Sequence, residues 1–323
     1  MLVLGIEGTA HTVGVSIVDG DGEVLSNVFE TYQEKEGIHP REAANHHSSK
    51  IVPLIREALE ESNVGRDEVD LVAFSQGPGL GPCLRTVATA ARSLSLSLDV
   101  PLVGVNHCIA HLEIGRLRTE AESPVLLYVS GGNTQIIAFT KGRYRVFGET
   151  LDIGLGNMLD KFGRDKGMNF PAGPVIEKKA RGGDELLDLP YSVKGMDVEF
   201  SGIMTSALNL DEPLEDICYS IQETTFAMLT EVTERALAHT RKNEVLLGGG
   251  VVQNKRLQEM IEKMTEERGA TSFVPEPEFC VDNPAMIAWT GYLMYDSGTS
   301  ISVEESNIRQ KFRTDEVEVT WRG

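Results

Sequence analysis

Two histidines stand four positions apart in the stretch VNHCIAHLEIG, residues 105–115. On an α-helix that spacing puts His107 and His111 on one face, about 6 Å apart along the axis. Two imidazoles so placed can grip one metal ion; they can equally be two ordinary polar side chains. The spacing matches the H-E-x-x-H pattern of zinc proteases, whose mechanism needs the glutamate beside the first histidine as general base. Here Cys108 stands in that place and Glu113 falls outside the pair, so a protease reading lacks its base. Asn106, where an apolar run meets the helix, is suited to cap it and to place His107 in its first turn.

Other stretches carry residues of chemical interest. YVSGGNTQ (128–135) and LLGGGVVQN (246–254) put bare glycine backbone at the ends of apolar runs. Glycine admits close approach of a ligand to main-chain N–H groups, and a following helix adds its positive end. Phosphate or nucleotide binding is one use of such turns; a simple tight turn is the other. In GNMLDKFGRDKGMNFPAGPVIEKKARGG, Gly173-Pro174 reads as a helix start, and Asp160 and Glu177 can accept hydrogen bonds from sugar hydroxyls or lie solvated. Asn283-Pro284 is another helix start; Asp282 just before it is either a cap or a ligand. His46-His47 suit a surface or interface role better than catalysis.

These residues need a frame. LVLGIEGTAHTVGVSIVDGDGEVLS reads as three short strands with a turn at DGDG. A helix follows over residues 39–62, with apolar positions at Ile51, Leu54, Ile55, Ala58 and Leu59. VDLVAFSQGPGLG is a buried strand entering a glycine-rich turn, LRTVATAARSLSLSL a helix, and PLVGVNH a strand that opens the histidine helix. Residues 125–146 repeat the opening pattern, with Ser130-Gly131 aligned on Glu7-Gly8. Residues 245–261 form a third strand-to-glycine junction that leads into a helix. The expected fold is α/β and two-lobed with internal duplication, of the actin-like ATPase and sugar-kinase type, with a ligand cleft between lobes. One lobe is expected at 1–108 plus about 295–323, and the other at 109–294. A Rossmann-type fold is disfavoured because no G-x-G-x-x-G follows a strand.

Composition narrows the setting. The chain has 323 residues, 41% hydrophobic and 24% charged, an ordinary globular balance. No apolar run approaches the roughly 20 residues of a membrane span, and MLVLGIEG has no basic leader, so a cytoplasmic protein without membrane association is expected. Four scattered cysteines, with no C-x-x-C among them, suit reduced thiols. Net charge is −19, with 49 acidic against 30 basic residues, an unfavourable balance for a stand-alone nucleic-acid binder. Local basic clusters lie at 115–118, 141–145, 178–181 and 309–313.

Taken as an ordered series, GIEGTAHTVGVSIV, HPREAANHH, SQGPGLGPCLR, GVNHCIAHLEIGR, LYVSGGNTQ, LDIGLGNMLDKFGR, GPVIEKKA, FSGIMTSAL, GGGVVQN, DNPAMIAWTG and RQKFRTDEV resemble one family across almost the whole chain. It is the universal tRNA threonylcarbamoyltransferase family (TsaD-like), in its archaeal or eukaryotic form, the catalytic subunit of the KEOPS complex. The resemblance implies transfer of a threonylcarbamoyl group from threonylcarbamoyl-adenylate to N6 of a tRNA adenosine beside the anticodon, releasing AMP. It implies one metal ion per chain, iron favoured and zinc possible, on His107, His111, Tyr128 and Asp282. It implies adenylate contacts, open also to ATP or analogues, along Tyr128, Val129, Ser130, Gly131 and Gly132 and at Asp160, Gly173, Glu177 and Asn254. It also implies partners: tRNA, a kinase-like subunit fused to the C-terminus in some archaea, a small dimerising subunit and a further small one. No residue in these motifs is an evident general base for the adenosine amine. Three rivals stand beside it, one of them a non-catalytic nucleotide-binding scaffold. An actin-like-fold kinase or ATPase would want an aspartate near the first glycine turn, where this chain has Glu7. The metalloprotease is a weaker rival.

Overall fold

The computed structural model describes residues 1–32 and 39–322. The chain forms two compact units: Met1–Arg118 with Lys141–Tyr144 and Asp282–Gly323, and Thr119–Thr140 with Arg145–Val281. The fold class is α/β, each unit built on a five-stranded sheet.

The first unit begins with the expected strand meander, β1 (Leu2–Glu7), β2 (Thr12–Asp19) and β3 (Val24–Thr31). Helix α1 (Pro40–Ser62) leads through β4 (Leu71–Gly77), α2 (Gly81–Leu98) and β5 (Leu102–Asn106) into α3 (His107–Arg118). The strand order is β3-β2-β1-β4-β5. β1 pairs antiparallel with β2 and parallel with β4, which pairs parallel with β5. β4 and β5 are buried along their whole length, as parallel strands covered on both faces must be.

The second unit repeats this order. β6 (Val125–Val129), β7 (Thr134–Thr140) and β8 (Arg143–Glu149) form its meander. Next come α4 (Leu155–Asp165), α5 (Gly173–Ala180), the short strands β9 (Val193–Lys194) and β10 (Asp197–Val198), α6 (Ser201–Leu208) and α7 (Leu214–Thr240). β11 (Glu244–Gly248), α8 (Lys255–Arg268), β12 (Thr271–Phe273) and α9 (Pro277–Cys280) complete it. The sheet order is β12-β11-β6-β7-β8, with β6–β11 and β11–β12 parallel. This is the order of the first sheet strand for strand, so the duplication read from the alternation of apolar residues is present in the topology. The connections differ: four helices and a two-stranded ladder stand where the first unit has α1, and after β11 a 3-10 turn (Gly250–Gln253) intervenes before α8.

Helix α10 (Pro284–Asp296) belongs to the first unit, as does all of α3. Residues 109–118, 141–144 and 282–294, expected in the other lobe, therefore lie in the first unit. The reason is packing: α10 is apolar nearly all round, and it covers β1, β2 and β4 and packs on α3. A helix without a polar face must be buried on several sides. Gly5 makes the approach possible, since a Cβ there would sit 2.4 Å from the Ala288 backbone nitrogen.

No helix among the described residues is long and apolar enough to cross a membrane. All four cysteines are free and buried.

His47, expected at a surface or interface, is instead fully buried in the core of the first unit. Burial, followed by the charge of His46, lowers its imidazole to about 4. Unfolded, it would take a proton near pH 6.5. Between those values the unfolded chain binds the extra proton, so this contribution is complete above pH 6.5 and is lost as pH falls toward 4. Stability should fall over that window by roughly 3 kcal/mol from this group. Urea unfolding at stepped pH should show the loss, and His47→Gln should flatten it.

Candidate metal centre

Asn106 ends β5, and its side-chain oxygen accepts from the backbone N–H of Cys108 (3.0 Å) and Ile109 (3.2 Å). This cap fixes the first turn of α3 and with it His107. Across the chain, Asn283 caps α10 by accepting from the Met286 N–H at 3.0 Å. Because Asn283 does the capping, Asp282 is released to face the histidines.

The three side chains meet. Asp282 Oδ1 lies 3.3 Å from Nε2 of both His107 and His111. The three ligand atoms all fall within 4.8 Å of one another, and the two imidazoles stand edge to face. Both histidines are buried. On its far side, His107 Nδ1 faces Glu7 Oε2 at 3.2 Å and the Thr9 hydroxyl at 3.4 Å. Glu7 is fixed in turn through its other oxygen, which accepts from the Thr9 N–H at 2.8 Å and the Thr9 hydroxyl at 2.7 Å.

This donor set fits a metal ion. Placing the His107 proton on Nδ1, toward Glu7, leaves Nε2 as a lone pair directed at the Asp282 carboxylate. Two lone pairs facing each other at 3.3 Å repel unless a cation lies between them. Ligands about 2.1 Å from a tetrahedral ion stand about 3.4 Å apart, close to the two distances from Asp282. The carboxylate behind His107 is the orienting partner that metal-bound histidines commonly have. Protonation states agree. Burial pushes the Asp282 carboxyl up, but the two imidazoles outweigh it and hold it well below the usual carboxylate range. Burial lowers His111 against the pull of Asp282, which favours the neutral, ligating form.

Neither neighbour of the pair can serve a protease. Cys108, in the place of the missing glutamate, is a buried thiol pushed up to about 11. Glu113 is fully buried and committed elsewhere: its Oε2 accepts from Arg116 at 2.6 Å, and its Oε1 accepts from Trp321 Nε1 at 2.8 Å and from the Tyr144 hydroxyl.

Sequence reasoning missed what holds α3 in place. Asn106 Nδ2 donates to the Phe312 carbonyl at 3.1 Å, and Trp321 reaches Glu113. Residues 312–321 thus strap α3 from its cap to Glu113. In the sequence this segment was marked by the basic cluster 309–313 and the RQKFRTDEV motif, neither of which reports a contact with α3.

The remaining predicted residues lie in the second unit. Tyr128 is buried in β6, one residue before its end. Val129 ends the strand, Ser130 is partly buried and Gly131 and Gly132 are exposed. Gly249, at φ +93, passes so close that a Cβ would meet the Val129 carbonyl oxygen at 2.3 Å. A Cβ on Gly132 or Gly173 would meet nothing within 4 Å, so their backbone is open to a ligand. Asp160 accepts from the Ala172 N–H at 2.8 Å and so fixes the residue before Gly173. Glu177 accepts from the Lys255 N–H at 3.3 Å. Asn254 caps α8 through Arg256 N at 2.9 Å and donates to Gln222 at 3.0 Å. The structure therefore joins Asp160 to the start of α5, and α5 to the start of α8.

The TsaD family profile, described as tRNA N6-adenosine threonylcarbamoyltransferase, matches residues 23–289. This chain belongs to that family. The "tRNA N6-adenosine threonylcarbamoyltransferase" of Thermococcus sibiricus is 58% identical over 99% of this chain and 100% of its own length. The "Probable bifunctional tRNA threonylcarbamoyladenosine biosynthesis protein" of Methanothermobacter thermautotrophicus is 59% identical over 99% of this chain. This chain spans 61% of that relative's length. Among solved structures, HypF of T. kodakarensis superposes with TM-score 0.65 at 15% identity, over 91% of this chain and 48% of HypF. Component A of (R)-2-hydroxyglutaryl-CoA dehydratase from Acidaminococcus fermentans gives TM-score 0.57 at 14% identity, over 90% of this chain and 98% of its own. These likenesses are of fold, and the TsaD-family fold is the actin-like ATPase type expected from the strand pattern.

Two consequences can be measured. Glu7→Gln should weaken metal retention about 10- to 100-fold, as loss of an orienting partner does; chelator competition reads it. Glu113→Ala leaves the Arg116 cation, the Tyr144 hydroxyl and the Trp321 N–H without their acceptor. It should cost about 3 kcal/mol or more in urea unfolding, and Glu113→Gln should cost less.

Proposed function

We propose that this chain transfers the threonylcarbamoyl group of threonylcarbamoyl-adenylate to N6 of a tRNA adenosine beside the anticodon. The observation that carries the reading is the convergence of His107, His111 and Asp282 on one point in a chain of the TsaD family. In the reaction the adenosine amine attacks the threonylcarbamoyl carbonyl carbon. The bond from that carbon to the adenylate phosphate oxygen breaks, AMP leaves, and N6 gives up a proton.

One metal ion per chain is proposed, iron favoured over zinc. Held by His107, His111 and Asp282, with Tyr128 proposed as a further ligand, it would supply a Lewis acid for the carbonyl oxygen. A phenol ordinarily titrates near 10, so Tyr128 would need such an acid to ligate. The chain's own residues have definite tasks. Glu7 and Thr9 keep His107 in one tautomer and orientation. Asp282 stays ionised and His111 neutral, so the site is ready to load near neutral pH. The open backbone of Gly131, Gly132 and Gly173 is proposed to receive the adenylate phosphate and leave it there as AMP. Asp160, Glu177 and Asn254 are proposed to bind its ribose and base side. Holding one reactant in fixed geometry removes entropy from the barrier.

The rivals lose ground on the same residues. Glu7, which a kinase would need free, is committed to Thr9 and His107, and Glu113, the nearest acid to a protease-like pair, is locked away. Partners are proposed as the family resemblance implies: tRNA, a kinase-like subunit, fused or separate, and two small subunits, in the cytoplasm.

Replacing both His107 and His111 by Ala should abolish transfer to tRNA and remove the bound metal, with circular dichroism unchanged. Undiminished transfer by that double variant would refute the metal role.

A further inference from the structure

A chain at −19 that acts on tRNA needs a local cationic surface. Four basic clusters exist, and in three the structure spends cations on carboxylates. Arg309 pairs with Glu316 at 2.5 Å and Arg313 with Asp315 at 3.0 Å. Lys179 pairs with Glu215 at 3.0 Å and Arg181 with Glu177 at 3.3 Å. In the 115–118 cluster, Arg116 serves the buried Glu113.

The fourth cluster is different. Lys141, Arg143 and Arg145 are exposed, and among the described residues they take part in no ion pair or side-chain hydrogen bond. Lys141 sits in the turn between β7 and β8, at φ 51. Strand alternation puts Arg143 and Arg145 on the face opposite Tyr144, about 7 Å apart. Tyr144 is fully buried and anchors that strand: its hydroxyl donates to Glu113 and accepts from Arg322 Nη1 at 3.1 Å. Glu113 is two residues after His111 on α3, about 3 Å further along the axis. A rigid side chain thus ties an unspent basic strand to the helix that carries the metal donors, with Arg322 adding a cation beside it.

We propose that Lys141, Arg143 and Arg145 receive the phosphate backbone of tRNA and set it against the metal helix, an assignment that rests on the transfer reading above. The anchor explains why the strand suits this task. A cationic loop on a mobile turn would bind phosphate but would not place it, whereas Tyr144 ties its strand neighbour Arg143 to the helix of His111 through Glu113.

The test uses the full-length protein with its partner subunits and unmodified tRNA, with binding followed through a salt series. Lys141→Glu/Arg143→Glu/Arg145→Glu should bind tRNA about tenfold more weakly near 0.1 M salt, with the log–log salt slope shallower by about 2. Its melting temperature and its affinity for threonylcarbamoyl-adenylate should not change. The charge-matched Arg241→Glu/Lys263→Glu/Arg268→Glu variant should keep most of its affinity and slope. Unchanged tRNA binding by the first variant, or equal loss by the second, overturns the assignment while leaving the transfer reading intact. No tRNA binding by the unsubstituted protein overturns both.

Discussion

One carboxylate oxygen, Asp282 Oδ1, stands 3.3 Å from two buried imidazole nitrogens, and much of the first unit exists to make that possible. The contact joins residues 171 positions apart in the case of His111. It requires a capped α3, a capped α10 and close packing between these helices. Two asparagines supply the caps, and Gly5 lets α10 settle on β1. An ionised carboxylate in such surroundings is costly without a cation. The site is therefore better understood as a binding place for charge than as a piece of structure.

The donors are supported from two directions. Behind His107, Glu7 and Thr9 lie at and just after the end of β1, so the first glycine turn orients a ligand from the side. Along α3, residues 312–321 bind the helix from its cap to Glu113. The second support is the larger. It runs through a buried carboxylate with three donors, and it links the last residues of the chain to the same helix as the histidines.

Much of this was legible in the sequence, for physical reasons. Apolar and alternating runs bounded by turn residues announced both meanders; in β2 the apolar Val13, Val15 and Ile17 alternate with small residues that are buried as well. The β4 and β5 runs were plain because buried parallel strands are continuously apolar. His107 and His111 were visible as a pair because their relation is local to one helix. Asp282 could be joined to them only through the family resemblance, since no local pattern reports a contact across so many residues. The place of α10 was misread because an all-apolar helix does not declare which sheet it covers. His47 was misread because a polar residue type says little about burial. The Glu113 network was invisible: it depends on Tyr144 and Trp321, which only the fold brings to α3.

The central claim is that this chain carries out threonylcarbamoyl transfer. It is tested most directly by a single-turnover experiment with the metal-loaded, full-length protein, its partner subunits, radiolabelled threonylcarbamoyl-adenylate and unmodified tRNA. The account predicts label on the N6 of the adenosine beside the anticodon and one AMP released for each group transferred. Adenylate consumed to AMP with no label on tRNA, or no consumption at all, would contradict it.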